Sequence, residues 1–230
     1  MKIPGYFIIR NDRNNEGGGV LLAVKEQYKN ITTEVARIND IEESLWITIG
    51  SRTVYQVGII YVAKGDGEKK DKLQKMYNRI TQEVGEAKLK SKNVLVMGDF
   101  NCKVGEVING NKREISKGRK MMLKMSQNSE MQLANTWKGT NGLWTRREGE
   151  NKSVIDYIIM QKEHMTGIQE MEVDEEKEWT PFRVIKQDGI LRTIYTDHNA
   201  IKCEIDWKIE NNRTYKEKFA KKMTKKGYQK

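Results

Sequence analysis

The sequence predicts an α/β protein built from packed β-sheets with outer helices. Two observations carry that reading. Short apolar or alternating runs of strand length recur from Tyr6 to Trp207, with only sparse helix-length segments between them. One stretch, from Arg52 to Met97, reads strand, helix, strand, which is the pattern of a parallel crossover. Too few helices alternate with the strands for a simple doubly wound sheet.

In chain order, Tyr6 to Arg10 reads as a short strand. A polar loop leads to Gly17-Gly18-Gly19 and a buried strand over Val20 to Val24. Three glycines before a strand suggest close backbone approach or a bulge. They do not form a phosphate loop, because no Lys-Ser/Thr or helix start follows. Thr33 to Ile38, Leu45 to Ile49 and Arg52 to Val62 read as strands. The clearest helix spans Asp71 to Leu89, where Leu73, Met76, Tyr77, Ile80, Val84 and Ala87 share one face. Asp71 lies in its first turn and Lys88 and Lys90 in its last, as the helix dipole prefers. Val94 to Met97 is a buried strand. A second helix is expected over Lys117 to Gln127, with Met121, Met122, Leu123 and Met125 as core filler. Met131 to Thr136, Leu143 to Arg146, Val154 to Met160 and Ala200 to Trp207 read as further strands. The acidic run Glu170 to Glu178 reads as a solvated loop or edge, and His164 as a plain surface residue. Residues 208–230 form a lysine-rich tail expected to be solvated.

Length favours one large domain, 1–207, followed by that tail. A net charge of +10 and a pI of about 9.4 favour a polyanionic partner such as nucleic acid. No strongly amphipathic basic helix points to a lipid surface, and no apolar run is long enough to span a membrane. Two cysteines, Cys102 and Cys203, give neither a disulfide framework nor zinc spacing.

Three stretches carry chemistry. In Val94–Gly105 an apolar strand runs into Gly98, and Asp99 and Asn101 follow at its carboxyl end. Two residues apart in extended chain, a carboxylate and an amide point the same way and can hold a phosphate, a metal or a water. An Asx turn, bonding its own backbone, is the alternative. In Ser153–Ile159, Asp156 interrupts an apolar strand, where a lone carboxylate is costly unless paired. In Tyr195–Ile201, His198 stands between Asp197 and Asn199. Two acids with a histidine suggest hydrolysis, Asp156 orienting the imidazole of His198. Asp99 and Asp197 would then be free for metal or water. With carboxylates as the hard ligands and no Cys–His cluster, Mg2+ or Mn2+ is expected rather than zinc.

These stretches resemble, in order, the signature motifs of the endonuclease/exonuclease/phosphatase superfamily: Gly98-Asp99-Phe100-Asn101, Ser153-Val154-Ile155-Asp156-Tyr157-Ile158 and Thr196-Asp197-His198-Asn199. Gly17-Gly18-Gly19-Val20 resembles its glycine-rich lead into a strand, and Gly58-Ile59-Ile60-Tyr61 its tyrosine-bearing strand. Leu133-Ala134-Asn135-Thr136 and Leu143-Trp144-Thr145 look like the variant in endonuclease domains of non-LTR (LINE-type) retrotransposons. The resemblance implies a four-layer αββα sandwich of two mixed sheets, deoxyribonuclease-like, with the site at one end.

By the same resemblance Asp99 activates the attacking water, and Asn101 helps hold water and phosphate. Tyr61 contacts the scissile phosphate, and His198, oriented by Asp156, stabilises charge or acts as acid/base. Asp197 lies near the metal, and Thr145 supports the site or touches the DNA backbone. The implied activity is Mg2+-dependent nicking of DNA that leaves a 3′-hydroxyl, from which a retrotransposon relative would prime reverse transcription. A nuclear location follows only from that substrate. The alternatives are a phosphatase or phosphodiesterase on the same fold, or an impaired fragment that binds nucleic acid without turnover.

Thr196 stands where serine is common, and Ala63 where many relatives have proline. The chain opens at a segment resembling the one just after the superfamily's metal-ligand glutamate, so a missing first strand and weak metal binding are expected. Glu16 and Asp12 are the acids before Gly17, both in the polar loop rather than on a ligand strand.

Overall fold

A computed structural model describes residues 2–12, 19–35, 43–63, 70–91, 93–104, 118–187 and 189–207. An antiparallel pair comes first, β1 (Tyr6–Asp12) with β2 (Gly19–Lys25). A Cβ on Gly19 would lie 2.3 Å from the Asn11 carbonyl oxygen, so the close approach expected of the glycine run occurs at this residue. β3 (Thr32–Glu34), β4 (Ser44–Ile49) and β5 (Tyr55–Tyr61) follow as an antiparallel series. Helix α1 (Lys70–Lys90) then returns the chain to β6 (Asn93–Asp99), which pairs with β5 in parallel. The expected crossover is therefore present. Next come α2 (Arg119–Asn128), β7 (Met131–Leu133) and a hairpin of β8 (Arg146–Glu148) with β9 (Asn151–Ser153). β10 (Asp156–Gln161), β11 (Ile168–Val173), a second hairpin of β12 (Phe182–Gln187) with β13 (Ile190–Tyr195), and β14 (Ile201–Ile205) complete the described elements.

The central sheet has the order β3-β4-β5-β6-β10-β7 and is mixed. Alternation along its strands builds two cores. Ile60, Val94, Val96, Tyr157 and Ile159 face Tyr77, Ile80, Val84 and Ala87 of α1 and Met122 and Met125 of α2. Leu95, Ile158 and Met160 face the other way, toward Ile168 and Met171 on β11 and Ile201 and Cys203 on β14. β11 pairs with β14, and the β1/β2 pair lies beside β4 and β5. The result is the expected α/β sandwich of packed sheets. Both α-helices among the described residues cover the central sheet. Burying a side chain such as Ile80 stabilises by about 1.5–3 kcal/mol over leaving it exposed, so the face read from the helical spacing is the one that holds α1 in place. Among the described residues no helix is long and apolar enough to cross a membrane.

Several sequence expectations shift. The strand expected over Met131 to Thr136 ends at Leu133, where Ala134–Thr136 turn as a 3-10 segment. Leu143 to Thr145 is irregular, and the strand begins at Arg146. The acidic run from Glu170 is not a solvated loop at first: it is β11, with Met171 and Val173 buried against β14 and the acids alternating outward. His164 packs its ring edge-on to Trp207, centroids 5.4 Å apart, rather than standing free at the surface. Residues 36–38 of one expected strand and the tail 208–230 lie outside the described residues. The β12/β13 hairpin went unread, although its Asp188-Gly189 step between alternating runs is a strong hairpin signal.

Candidate active site

Strand register assembles the site. Tyr61 on β5 is paired with Asp99 on β6, and Asp99 is paired with Asp156 on β10. Three neighbouring strands thus bring a phenol and two carboxylates to one end of the sheet on one face. Cross-strand partners stand about 5 Å apart at Cβ. Gly98 makes this possible: a Cβ there, at φ +144°, would lie 1.8 Å from the Ile60 carbonyl oxygen.

Two carboxylates opposite one another repel. His198 answers this. Its Nδ1 lies 3.0 Å from both oxygens of Asp156, and its Nε2 lies 4.0 Å from Oδ2 of Asp99. The hydrogen bond to Asp156 raises the His198 pKa above that of a free imidazole, against the effect of burial. Burial, with the Asp156 charge beside it, pushes the Asp99 carboxyl up to about 6. Asp99 is therefore a carboxylate whose charge the protein leaves under-compensated.

Asn101 sits at φ 45°, a left-handed conformation that asparagine tolerates. Its backbone N–H donates to Asp99 Oδ1 (2.8 Å), which is the Asx turn the sequence allowed. Its side-chain amide donates to Asp99 Oδ2 (3.1 Å) and to the Val62 carbonyl (2.9 Å). The turn, not extended chain, puts the amide beside the carboxylate, and it also ties Asp99 to the end of β5.

Thr145 is fully buried, so of its two expected roles its contacts fit support and not contact with a substrate. Its hydroxyl accepts the N–H groups of Ile155 (3.0 Å) and Asp156 (3.1 Å). Its carbonyl accepts the N–H of Asn199 (2.7 Å). One threonine thereby holds the segments that carry both Asp156 and His198. Asp197, expected near the metal, is paired with Arg146, whose Nε donates to Oδ2 at 2.6 Å. Burial would raise the Asp197 pKa, but Arg146 and His198 outweigh it and hold the carboxyl below its usual range.

Asp99, Asp156 and His198 form a group whose ligand atoms all lie within 4.8 Å of one another. Among the described residues no glutamate joins it. Asp12 is ion-paired to Arg10 at the exposed end of β1, and Glu16 lies outside the described residues. The donor set fits a hard divalent cation: Asp99 has charge to spare, whereas both Asp156 oxygens are engaged by His198.

A sequence profile described as the Endonuclease/Exonuclease/phosphatase family matches residues 3–178. The chain belongs to this family. Solved structures of similar fold include the endonuclease domain of TRAS1, a telomere-specific non-LTR retrotransposon (14% identity, TM-score 0.58, covering 90% of this chain and 82% of that one). Others are a 3′ phosphatase from Neisseria bound to a product DNA hairpin (13%, 0.65, 88% and 80%) and an AP endonuclease from Leishmania major (11%, 0.60, 74% and 66%). At such identities the likeness is one of fold. No curated protein matches the sequence.

Within this endonuclease/exonuclease/phosphatase fold, four supporting residues escaped the sequence reading. Asn135 braces β10 from the side, accepting from the Ile158 N–H (3.1 Å) and donating to the Asp156 carbonyl (3.2 Å). The Leu133-Ala134-Asn135-Thr136 motif by itself assigns it no role. Arg146, next to Thr145, neutralises Asp197. Asn199 donates through its side chain to the Trp144 carbonyl. Lys177 donates through Nζ to the carbonyls of Thr196 (2.8 Å) and His198, clasping the turn that carries the imidazole. A lone lysine in an acidic run gives no local sign of that task.

Proposed function

We propose that this protein is a divalent-metal-dependent nuclease that hydrolyses DNA phosphodiesters, nicking a strand to leave a 3′-hydroxyl. The observation that carries the reading is the register of Tyr61, Asp99 and Asp156 across three strands, with His198 bridging the two acids.

Asp99 Oδ2 and His198 Nε2, 4.0 Å apart, can share one bridging oxygen, of a water or of a phosphate. Asp99 takes the proton from the water as its oxygen bonds to phosphorus; the bond from phosphorus to the 3′-oxygen breaks, and the departing oxygen takes a proton from solvent to become the 3′-hydroxyl. His198, whose protonated form the hydrogen bond to Asp156 favours, donates from Nε2 to the charge growing on the phosphoryl oxygens. Asn101 orients Asp99, and Tyr61 offers its hydroxyl to the same phosphate. A divalent cation, Mg2+ or Mn2+, would be held chiefly by Asp99 and would supply charge neutralisation and a more acidic water. Asp197 could join it only by opening the pair with Arg146.

The chain's +10 charge supports a polyanionic substrate, as does the family's phosphate-ester chemistry. The test is conversion of supercoiled plasmid to open circles across a magnesium and manganese titration, beside inorganic phosphate release from a 3′-phosphorylated oligonucleotide. Nicking without phosphate release is expected. Phosphate release without nicking would assign a phosphatase, and binding without turnover a nucleic-acid-binding protein.

A further inference from the structure

The hairpin of β12 and β13 forms a sheet of only these two strands. Register places Phe182 beside Tyr195, Val184 beside Thr193 and Lys186 beside Leu191, so these six share one face. All six are exposed: Phe182 at 60%, Val184 at 55%, Leu191 at 71% and Tyr195 at 44% of their surface. That is far more apolar surface than a free-standing hairpin needs, and no other described strand pairs with it. The aromatic pair is packed, with ring centroids 5.6 Å apart and planes tilted by 57°. A shallow groove of about 420 Å³ opens beside it, lined by Pro181, Phe182, Ile194, Tyr195 and Thr196.

Two features say what covers this face. Its aromatic end runs without a break into the site, for Tyr195 is followed by Thr196, Asp197 and His198, and Lys177 fixes that turn. The hairpin sequence is basic as well, with three cations over 182–195 against one acid; Lys186 stands on this face and Arg192, paired with Ile185, on the other. Exposed aromatics on a basic hairpin, next to a site that would hold a phosphate, are what a nucleic-acid strand requires. Bases stack on ring faces while the backbone follows the positive charge. A protein-binding face of this size would gain nothing from lying against the catalytic histidine.

We infer that the β12/β13 hairpin is an arm that binds the DNA flanking the cut phosphate, stacking nucleotides on Phe182 and Tyr195, with Lys186 on that face and Arg192 on the other pairing the backbone as it passes the hairpin. This rests on the nuclease reading and adds a substrate-binding surface to it. Six residues per strand reach roughly 17–20 Å. At about 3.4 Å per nucleotide along a strand, the arm covers about five nucleotides on one side of the cut.

The test uses the full chain and two double variants, Phe182→Ala with Tyr195→Ala, and Lys186→Gln with Arg192→Gln. All four side chains are exposed, so folding is not at risk, and circular dichroism checks it. The aromatic variant should raise KM for plasmid nicking on the order of tenfold and leave the salt dependence of KM unchanged. The basic variant should flatten that salt dependence, by about 1.8 in slope for two lost phosphate contacts. Neither should alter hydrolysis of bis(4-nitrophenyl) phosphate, a diester too small to reach the arm. A footprint on a nicked duplex should shrink by about five nucleotides on one side only.

Unchanged KM in both variants would overturn the inference, and is also the outcome expected of a face that serves a protein partner. If wild-type protein cleaves neither plasmid nor the small diester, the nuclease reading fails. Anisotropy of a fluorescent duplex without metal then still tests the arm, because equal binding by wild type and both variants would overturn it.

Discussion

Replacing Thr145 by valine keeps the shape of a fully buried side chain and removes one oxygen. That oxygen accepts two backbone N–H groups, from Ile155 at 3.0 Å and Asp156 at 3.1 Å. Valine offers neither an acceptor nor room for a water, so both donors lose their partner. A buried donor left unsatisfied costs about 1–3 kcal/mol. Two adjacent donors that can relax together should cost about 2–4 kcal/mol in all. For a chain of this size each kcal/mol moves Tm by about 2–4 °C, so Thr145→Val should melt roughly 5–15 °C lower. Activity should fall as well, because Asp156 begins at the released segment and its carboxylate must meet Nδ1 of His198. Thr145→Ser retains the hydroxyl, should recover most of the turnover, and loses only a methyl group's packing. The assay is calorimetric melting beside plasmid nicking at a temperature where every variant is folded. If Thr145→Val melts with wild type, or if serine fails to rescue turnover that valine loses, the hydroxyl is not the support argued here.

Three further outcomes are expected. His198→Ala and Asp156→Asn should each lose on the order of 10²-fold in kcat, and the double variant little more than either alone; independent, multiplying losses would show that the pair does not act as a unit. Asp99 titrates in the folded chain near about 6, above the ordinary aspartate value of about 3.9. As pH rises the unfolded chain gives up its proton first, so this group's contribution to stability falls between about pH 4 and about pH 6. In chelator, Asp99→Asn should therefore be about 1–2 kcal/mol more stable than wild type near neutral pH, allowing for solvent screening. The advantage should vanish near pH 4 in urea melts and the variant should be inactive; equal stability at both pH values would contradict a strained carboxylate. Lys177→Met should release the turn around His198 and lower kcat on the order of tenfold while shifting the pH profile, with Lys177→Arg restoring part of both. A change in KM alone would mean that Lys177 serves substrate binding instead.

The sequence by itself determined the periodic elements and the chemistry-bearing residues. Tyr77, Ile80, Val84 and Ala87 repeat at helical spacing, and the face they mark is the one α1 buries. Gly98-Asp99-Phe100-Asn101, Asp156 in its apolar run and His198 between Asp197 and Asn199 are local patterns, legible because a polar group breaking an apolar run demands a reason. Only the tertiary structure decided how they combine. Asp99 faces Asp156 because β10 pairs with β6 in one register, and pairing between strands 57 residues apart leaves no mark on either strand alone. Thr145 is a support because it is buried beneath two segments that meet only in the folded sheet. Asp197 is paired with Arg146, a contact across 51 residues. The charge state of Asp99 was beyond reach for the same reason: it depends on burial and on a second carboxylate delivered by another strand, and both are properties of the packed chain.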